Sequence, residues 1–316
     1  MTWRKPMPRP LITHPRRREL LKAAGAASLL TAMPDLHAAP ANLITRPIPR
    51  SGERLPAIGL GTWQTFDVSA GELPRTELQD TLRRFVELGG SVVDSSPMYG
   101  HAEAAVGTLS AALGNRASLF LATKVWTNGR AEGIRQMETS ARLLQTKTID
   151  LMQVHNLLDL KTHLPVLRDL KKSGRIRYLG ITHYTASAHA ELEKLVKTGD
   201  FDFVQFNYSL DEPEAEARLL PACADSGTAT LINRPFSQAG LFSKVRGKPL
   251  PAWCADLDCA SWAQFFLKWI ISHPAVTCAI PGTRRVQHIE DNLGACTGRL
   301  PDAALRQRMA DYLRGL

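Results

Sequence analysis

The sequence predicts an α/β protein, a closed (β/α)8 barrel of the TIM type with an N-terminal β-hairpin plug, and three observations carry that expectation. Apolar runs suited to buried strands begin near Ile58, Ser91, Leu119, Ile149, Ile176, Phe201, Thr228 and Val276, most of them about 25–33 residues apart. Amphipathic helical stretches fill the intervals, and several stop at a glycine. Polar residues end the runs, as they do where parallel strands present their carboxyl ends to a ligand. Eight strands buried on both faces, each followed by a helix, fit a closed barrel better than an open sheet.

Taken in order, residues 43–57 hold a turn at Ser51-Gly52 between two short runs and are expected to form a hairpin closing the barrel's lower end. Helices are expected over Thr76–Leu88, Ala102–Leu113, Ile134–Leu144, Leu164–Lys172, Ala188–Lys197, Glu214–Ala224, Ser261–Ile271 and Val286–Leu293, with Gly89, Gly114, Gly174, Gly199, Gly227 and Gly294 as stops. The last strand interval is longer, about 48 residues, because it carries an extra segment, Ser237–Asp258. A long loop on the ligand face reads as a lid or cofactor strap, with a neutral insertion as the alternative.

Charge is unevenly placed. The chain of 316 residues carries a formal net charge of +9, but the first 39 residues hold seven basic side chains against Glu19 and Asp35, more than half of that excess. The high isoelectric point thus belongs largely to the N-terminus, and no later basic run interleaved with aromatics points to nucleic acid. Arg17-Arg18-Glu19-Leu20-Leu21-Lys22, the alanine-rich stretch 23–32 and Ala39-Pro40-Ala41 resemble a twin-arginine export signal. Residues 1–41 are therefore expected to be a leader and residues 42–316 the barrel domain. The resemblance implies contact with the twin-arginine translocase and a periplasmic or otherwise exported location. The apolar stretch is too short to span a bilayer, so no stable membrane insertion is expected. The five cysteines have no metal-ligand spacing, and no metal is expected. Cys223 and Cys278 read as buried thiols, while Cys254 and Cys259 are spaced so that they could pair in an oxidising compartment.

Asp94, Lys124 and His155 end three successive strand-like runs, and Tyr99 follows Asp94 across a Ser-Ser-Pro-Met turn. An acid, an ammonium, an imidazole and a phenol gathered at one sheet edge can run a proton transfer. The surrounding motifs are Gly59-Leu60-Gly61-Thr62-Trp63, then Val93-Asp94-Ser95-Ser96-Pro97-Met98-Tyr99-Gly100 with Ala102-Glu103 and Gly107. Thr123-Lys124-Val125-Trp126, Asp150-Leu151-Met152-Gln153-Val154-His155-Asn156 and Ile280-Pro281-Gly282-Thr283 follow. In this order and at these places the chain resembles an aldo-keto reductase over roughly residues 44–300.

That resemblance implies reduction of aldehyde or ketone carbonyls with NADPH, and Asp94, Tyr99, Lys124 and His155 as the catalytic tetrad. Tyr99 would give the proton, Lys124 would lower its pKa, Asp94 would hold the ammonium, and His155 would orient the carbonyl. For the cofactor it implies Thr62, Asp94, Thr182, His183 and Gln205, with Thr182-His183 standing where the family has Ser-Asn. Arg234 stands at the place of an aromatic that stacks on the nicotinamide. Gly282, Thr283, Arg284 and Asn292 would serve the adenosine end, where arginines at a helix N-terminus suit a 2′-phosphate. Trp63 and Trp126 would wall an apolar substrate pocket. The tail after Leu300 is short, which predicts an open pocket, and a monomer is expected. NADPH is not expected to be free outside the cytoplasm, so an exported cofactor-binding or sensing barrel with incidental turnover is the alternative.

Overall fold

The computed structural model describes residues 43–316, so the leader reading and its cleavage site lie outside the described residues. The expected hairpin is present: β1 (Thr45–Pro47) and β2 (Arg54–Pro56) pair antiparallel with Thr45 opposite Pro56. Its turn is closed by the Ile48 amide donating to Glu53 O at 2.7 Å, with Gly52 at φ +75°.

Eight parallel strands follow: β3 (Leu60–Gly61), β4 (Val92–Asp94), β5 (Phe120–Val125), β6 (Ile149–His155), β7 (Ile176–Thr182), β8 (Phe203–Asn207), β9 (Ala229–Asn233) and β10 (Cys278–Ala279). Each pairs with its neighbours in chain order. The ends of the sheet meet, since Gly59 N donates to Ala279 O at 2.8 Å and Gly61 N to Pro281 O at 3.1 Å. Glycine is needed at this seam: a Cβ on Gly61 would lie 2.7 Å from Ile280 O. The barrel is closed.

Among the described residues ten helices surround it: α1 (Leu78–Glu87), α2 (Ala102–Leu113), α3 (Arg130–Leu143), α4 (Leu160–Lys172), α5 (His189–Val196), α6 (Leu219–Ser226), α7 (Gly240–Lys244), α8 (Trp262–Ile271), α9 (Val286–Gly294) and α10 (Ala303–Arg314). Several differ from expectation: α3 begins at Arg130, four residues before the expected Ile134, and α7 lies inside the segment Ser237–Asp258. Helix α4 begins four residues before Leu164, ahead of Pro165, because Asp159 holds its first turn: Thr162 Oγ1 donates to Asp159 Oδ1 at 2.7 Å and His163 N to Asp159 O at 3.1 Å. The expected helix over Glu214–Ala224 breaks at Arg218 (φ −143°, ψ −46°), leaving a single turn before α6. The tail is itself a helix, α10, capped by Asp302 and tied through Arg306 to Tyr208 and Glu216. Gly294 lies inside α9 and is no left-handed stop. It allows close packing instead, a Cβ there falling 2.6 Å from the Gln264 amide.

Strand residues alternate between the helix layer and the barrel interior, as a period of two requires. Met152 and Val154 face the helices, whereas Leu151 belongs to the interior cluster with Ile48, Leu55, Val92, Phe120, Tyr178 and Phe203. Ile48 has no accessible surface in that cluster. The hairpin therefore seals the lower mouth, and the upper half of the same interior is left for polar groups.

Candidate active site

All four expected reaction residues meet at the carboxyl end of the barrel. Lys124, on β5, is fully buried; its Nζ donates to Asp94 Oδ2 at 2.7 Å and to Ser95 O at 2.7 Å. It also lies against the Tyr99 ring, with the ammonium 4.9 Å from the ring centre. The Tyr99 ring meets the His155 ring edge-on at 5.9 Å. The turn after β4 curls Tyr99 back over the strand ends, its amide donating to Ser96 O at 3.0 Å.

A buried ion pair is tolerable only if its remaining valences are filled. Here Asp94 Oδ1 accepts from Gln205 Nε2 at 2.9 Å and from Gln153 Nε2 at 3.2 Å, while Thr182 Oγ1 donates to Gln205 Oε1 at 3.2 Å. Gln153 was not anticipated by motif reasoning. Its signal was available in the strand period, since it lies two residues before His155 and so points to the same interior. Gln205 and Thr182, expected at the cofactor, are nearly inaccessible and act within this network beneath Asp94. Thr62 is likewise fully buried; its hydroxyl makes 3.0 Å contacts with Asp94 O and Ser95 Oγ, which pins the end of β3 to that of β4.

The Lys124 ammonium acts on Tyr99 in the expected direction and is outweighed. Burial raises the Tyr99 pKa, the Lys124 ammonium lowers it, and the Asp94 charge raises it again; the balance lies above that of a free phenol rather than below. Burial alone would push the Lys124 ammonium down, but Asp94 and the Tyr99 oxygen outweigh it and hold its pKa up. Burial, with the Lys124 charge second and His183 third, pushes His155 down to about 3. At neutral pH the site thus holds an ammonium, a protonated phenol and a neutral imidazole.

Ser96, overlooked in the sequence because serine is common in turns, holds one edge of that imidazole. Its hydroxyl accepts from Met98 N at 3.3 Å and lies 3.0 Å from His155 Nδ1. A Ser96 proton donated to Nδ1 would leave the His155 proton on Nε2, facing the substrate side.

The rim residues are placed less tightly. Trp63 and Trp126 are 44% and 41% exposed, and the Trp126 ring lies 6.2 Å from that of His155. The Trp126 backbone is clamped from both sides by the Gln136 amide, at 2.6 and 3.2 Å. Arg234 (φ +52°) donates to Tyr184 O at 3.0 Å and lies 5.9 Å from the Tyr184 ring, which itself stacks on His183 at 5.5 Å. Thr283 Oγ1 receives the Arg285 amide at 3.2 Å at the start of α9. The Arg284 and Arg285 side chains are exposed. Gly282 pairs with Gly61 across the barrel seam, and Asn292 is buried on α9.

This geometry agrees with comparisons to known proteins. The model of the aldo/keto reductase family matches residues 57–308. Methylglyoxal reductase YeaE of Escherichia coli is 31% identical over 258 residues, covering 79% of this chain and 89% of its own. Aldo-keto reductase YhdN of Bacillus subtilis is 29% identical over 276 residues, covering 74% and 82%. Among solved structures, an aldo/keto reductase from Klebsiella pneumoniae in complex with NADP and acetate superposes with a TM-score of 0.69 at 26% identity, covering 83% of this chain and 93% of that one. Another from the same organism, in complex with NADPH, gives 0.70 at 25%, covering 86% and 95%. With a family match across most of its length and the tetrad assembled at the barrel mouth, the chain belongs to the aldo/keto reductase family.

Proposed function

We propose that this protein reduces small aldehydes or ketones to alcohols with NADPH, Tyr99 giving the proton, and that it is exported by the twin-arginine route. The observation that supports the chemistry best is the buried cluster of Asp94, Lys124 and Tyr99, in which a single ammonium bonds a saturated carboxylate at 2.7 Å and lies 4.9 Å from the centre of the phenol ring.

The residues present suit a dinucleotide. Asn156 Oδ1, Asn233 Oδ1 and Arg234 Nε are buried without a hydrogen-bond partner among the described residues, and all three stand at the carboxyl ends of β6 and β9. Such atoms are exceptions in folded proteins, and ligand amide or phosphate groups would satisfy them. At the far end of the rim, α9 begins with no side-chain cap on its N-terminus, beside exposed Arg284 and Arg285. That pairing of free amides with guanidinium groups favours the phosphate-bearing cofactor over its unphosphorylated form.

When bound, the dihydronicotinamide supplies a hydride to the carbonyl carbon. The Tyr99 hydroxyl passes its proton to the alkoxide oxygen as it forms, and Lys124 stabilises the phenolate left behind. A raised phenol pKa keeps that proton in place beforehand. His155 donates from Nε2 to the same oxygen and, being neutral, takes no part in proton supply. Trp63 and Trp126 offer apolar walls at an open mouth, which suits small, varied carbonyl compounds. The name of the E. coli relative makes methylglyoxal the first substrate to try.

The protein without its leader should oxidise NADPH in the presence of methylglyoxal or simple aldehydes. Tyr99→Phe should slow turnover by about 10²–10⁴-fold while NADPH still quenches tryptophan fluorescence. Tight NADPH binding with no carbonyl turnover across an aldehyde panel would defeat the reductase reading and favour a sensing barrel. Export is tested by fusing the leader to a reporter that works only when translocated folded; Arg17-Arg18→Lys-Lys should abolish the signal.

A further inference from the structure

Two thiols outside the reaction site are brought together by the end of a short helical segment. Residues Ala252–Leu257 form 3₁₀ turns closing the loop that follows β9, and Asp258 then takes a left-handed conformation (φ 51°, ψ 43°). The Cys259 amide donates to Cys254 O at 3.2 Å and the Asp258 amide to Ala255 O at 3.1 Å. These are the two bonds of a Schellman ending, which sets the third-from-last position of a helix beside the second residue beyond it. Here those positions are both cysteines with buried side chains, Cys259 Sγ donating to Ser261 O at 3.4 Å. Side chains so juxtaposed suit the short Cβ separation that a disulfide requires.

We propose that Cys254 and Cys259 form a reversible disulfide, a redox-modifiable site at the base of the loop after β9. Cys259 is the attacking residue. It is 7% exposed against 1% for Cys254. The neighbouring Cys254 thiol, then the Ser261 backbone and more weakly the Lys268 ammonium, pull its pKa down against the opposing effects of burial and Asp291. Lys268 is fully buried, and its bonds go to two carbonyls, Thr297 O at 2.5 Å and Arg299 O at 3.1 Å. With no carboxylate bonded to it, its charge is available to a neighbouring thiolate. Cys254 is pushed up by the same thiol contact and by burial, Arg308 opposing weakly, so it stays protonated as the resolving thiol.

The oxidant is a small-molecule or protein disulfide. The Cys259 thiolate attacks one of its sulfurs, forming a mixed disulfide and expelling one thiolate. Cys254, losing its proton, then attacks the Cys259 sulfur and expels the second. Two electrons and two protons leave the pair, and the oxidant is reduced to two thiols. By contrast, Cys223, Cys278 and Cys296 are buried with their thiols pushed up chiefly by burial.

Oxidised glutathione in graded ratio to reduced glutathione is the probe, applied to the folded protein, followed by alkylation after denaturation and peptide mapping. Three of the five cysteines should be alkylated after oxidation and all five after reduction, with a Cys254–Cys259 cross-link in the map. Cys254→Ser, with unchanged circular dichroism, should halt at a glutathione adduct on Cys259. Alkylation of all five at every ratio, a cross-link through other cysteines, or an adduct gathering on Cys254 in Cys259→Ser and not on Cys259 in Cys254→Ser would overturn the proposal.

Discussion

The two halves of the barrel interior are built from the same strands and could hardly differ more. Below, Phe120, Tyr178 and Phe203 pack with ring centres 5.5–5.9 Å apart under Ile48 and Leu55 of the hairpin. Its polar atom, the Tyr178 hydroxyl, reaches out to Ser51 Oγ and Glu53 Oε2 at 2.9 and 2.6 Å. Above, moving up by two or four positions along each strand, Val92 gives way to Asp94, Phe120 to Lys124, Leu151 to His155 and Phe203 to Gln205. The lower half gains stability from non-directional burial. The upper half holds charge in a dry site and survives because the Asp94–Lys124 pair is bonded on all sides, by Gln153, Gln205 and Ser95 O. Stability and chemistry are thus separated along the barrel axis, within a single hydrogen-bonded sheet.

That contrast can be broken from above most severely. Lys124→Met leaves the Asp94 carboxylate buried without its ion partner and should cost about 3–5 kcal/mol in urea unfolding. Adding Asp94→Asn should return part of that loss without restoring turnover, because the Tyr99 proton has still lost its cation. Acid should act on the upper half next. His155 has a depressed folded pKa, about 3, so the unfolded chain binds a proton that the folded chain refuses. Its stabilising effect is therefore complete above the ordinary imidazole value of about 6.5 and is lost as pH falls from there towards 3, by roughly 3–5 kcal/mol in all. His155→Gln should flatten that part of the pH–stability curve, and wild-type turnover should show no His155 break near pH 6.5.

The lower half should respond in the opposite sense. Ile48→Ala opens a cavity beneath the barrel and should lower stability by about 2–5 kcal/mol while leaving kcat/KM unchanged. Ser96→Ala should have the smallest effect on stability, about 1–2 kcal/mol for the two hydrogen bonds of its hydroxyl. It frees the His155 tautomer, so kcat should fall several-fold with NADPH binding intact, and the ring nitrogen shifts of His155 should move in ¹⁵N NMR. Unchanged shifts would show that Ser96 does not orient the imidazole.

Much of this was legible beforehand because both signals are local in character. A buried parallel strand is a short apolar run, and a residue ending such a run must emerge at the sheet edge; Asp94, Lys124 and His155 follow directly. The hairpin was legible from Ser51-Gly52, where the turn needs a left-handed residue. Less visible were features set by distant partners. Helix α10 was overlooked because its docking rests on Arg306 meeting Tyr208, Trp269 and Glu216, all far away in the chain. Arg218, whose bond to Glu193 accompanies the break before α6, gave no local sign of it.

By itself, the order of apolar runs, helices and strand-end polar residues determined a barrel with an acid, a phenol, an ammonium and an imidazole on one rim, since period and strand direction are properties of neighbouring residues. Only the tertiary structure decided how those groups are charged and held. The direction of the Tyr99 pKa depends on burial against two opposing charges, and the support of Asp94 depends on Gln153 and Gln205 arriving from strands remote in sequence. Desolvation and hydrogen-bond saturation are sums over everything nearby in space, and no stretch of chain contains them.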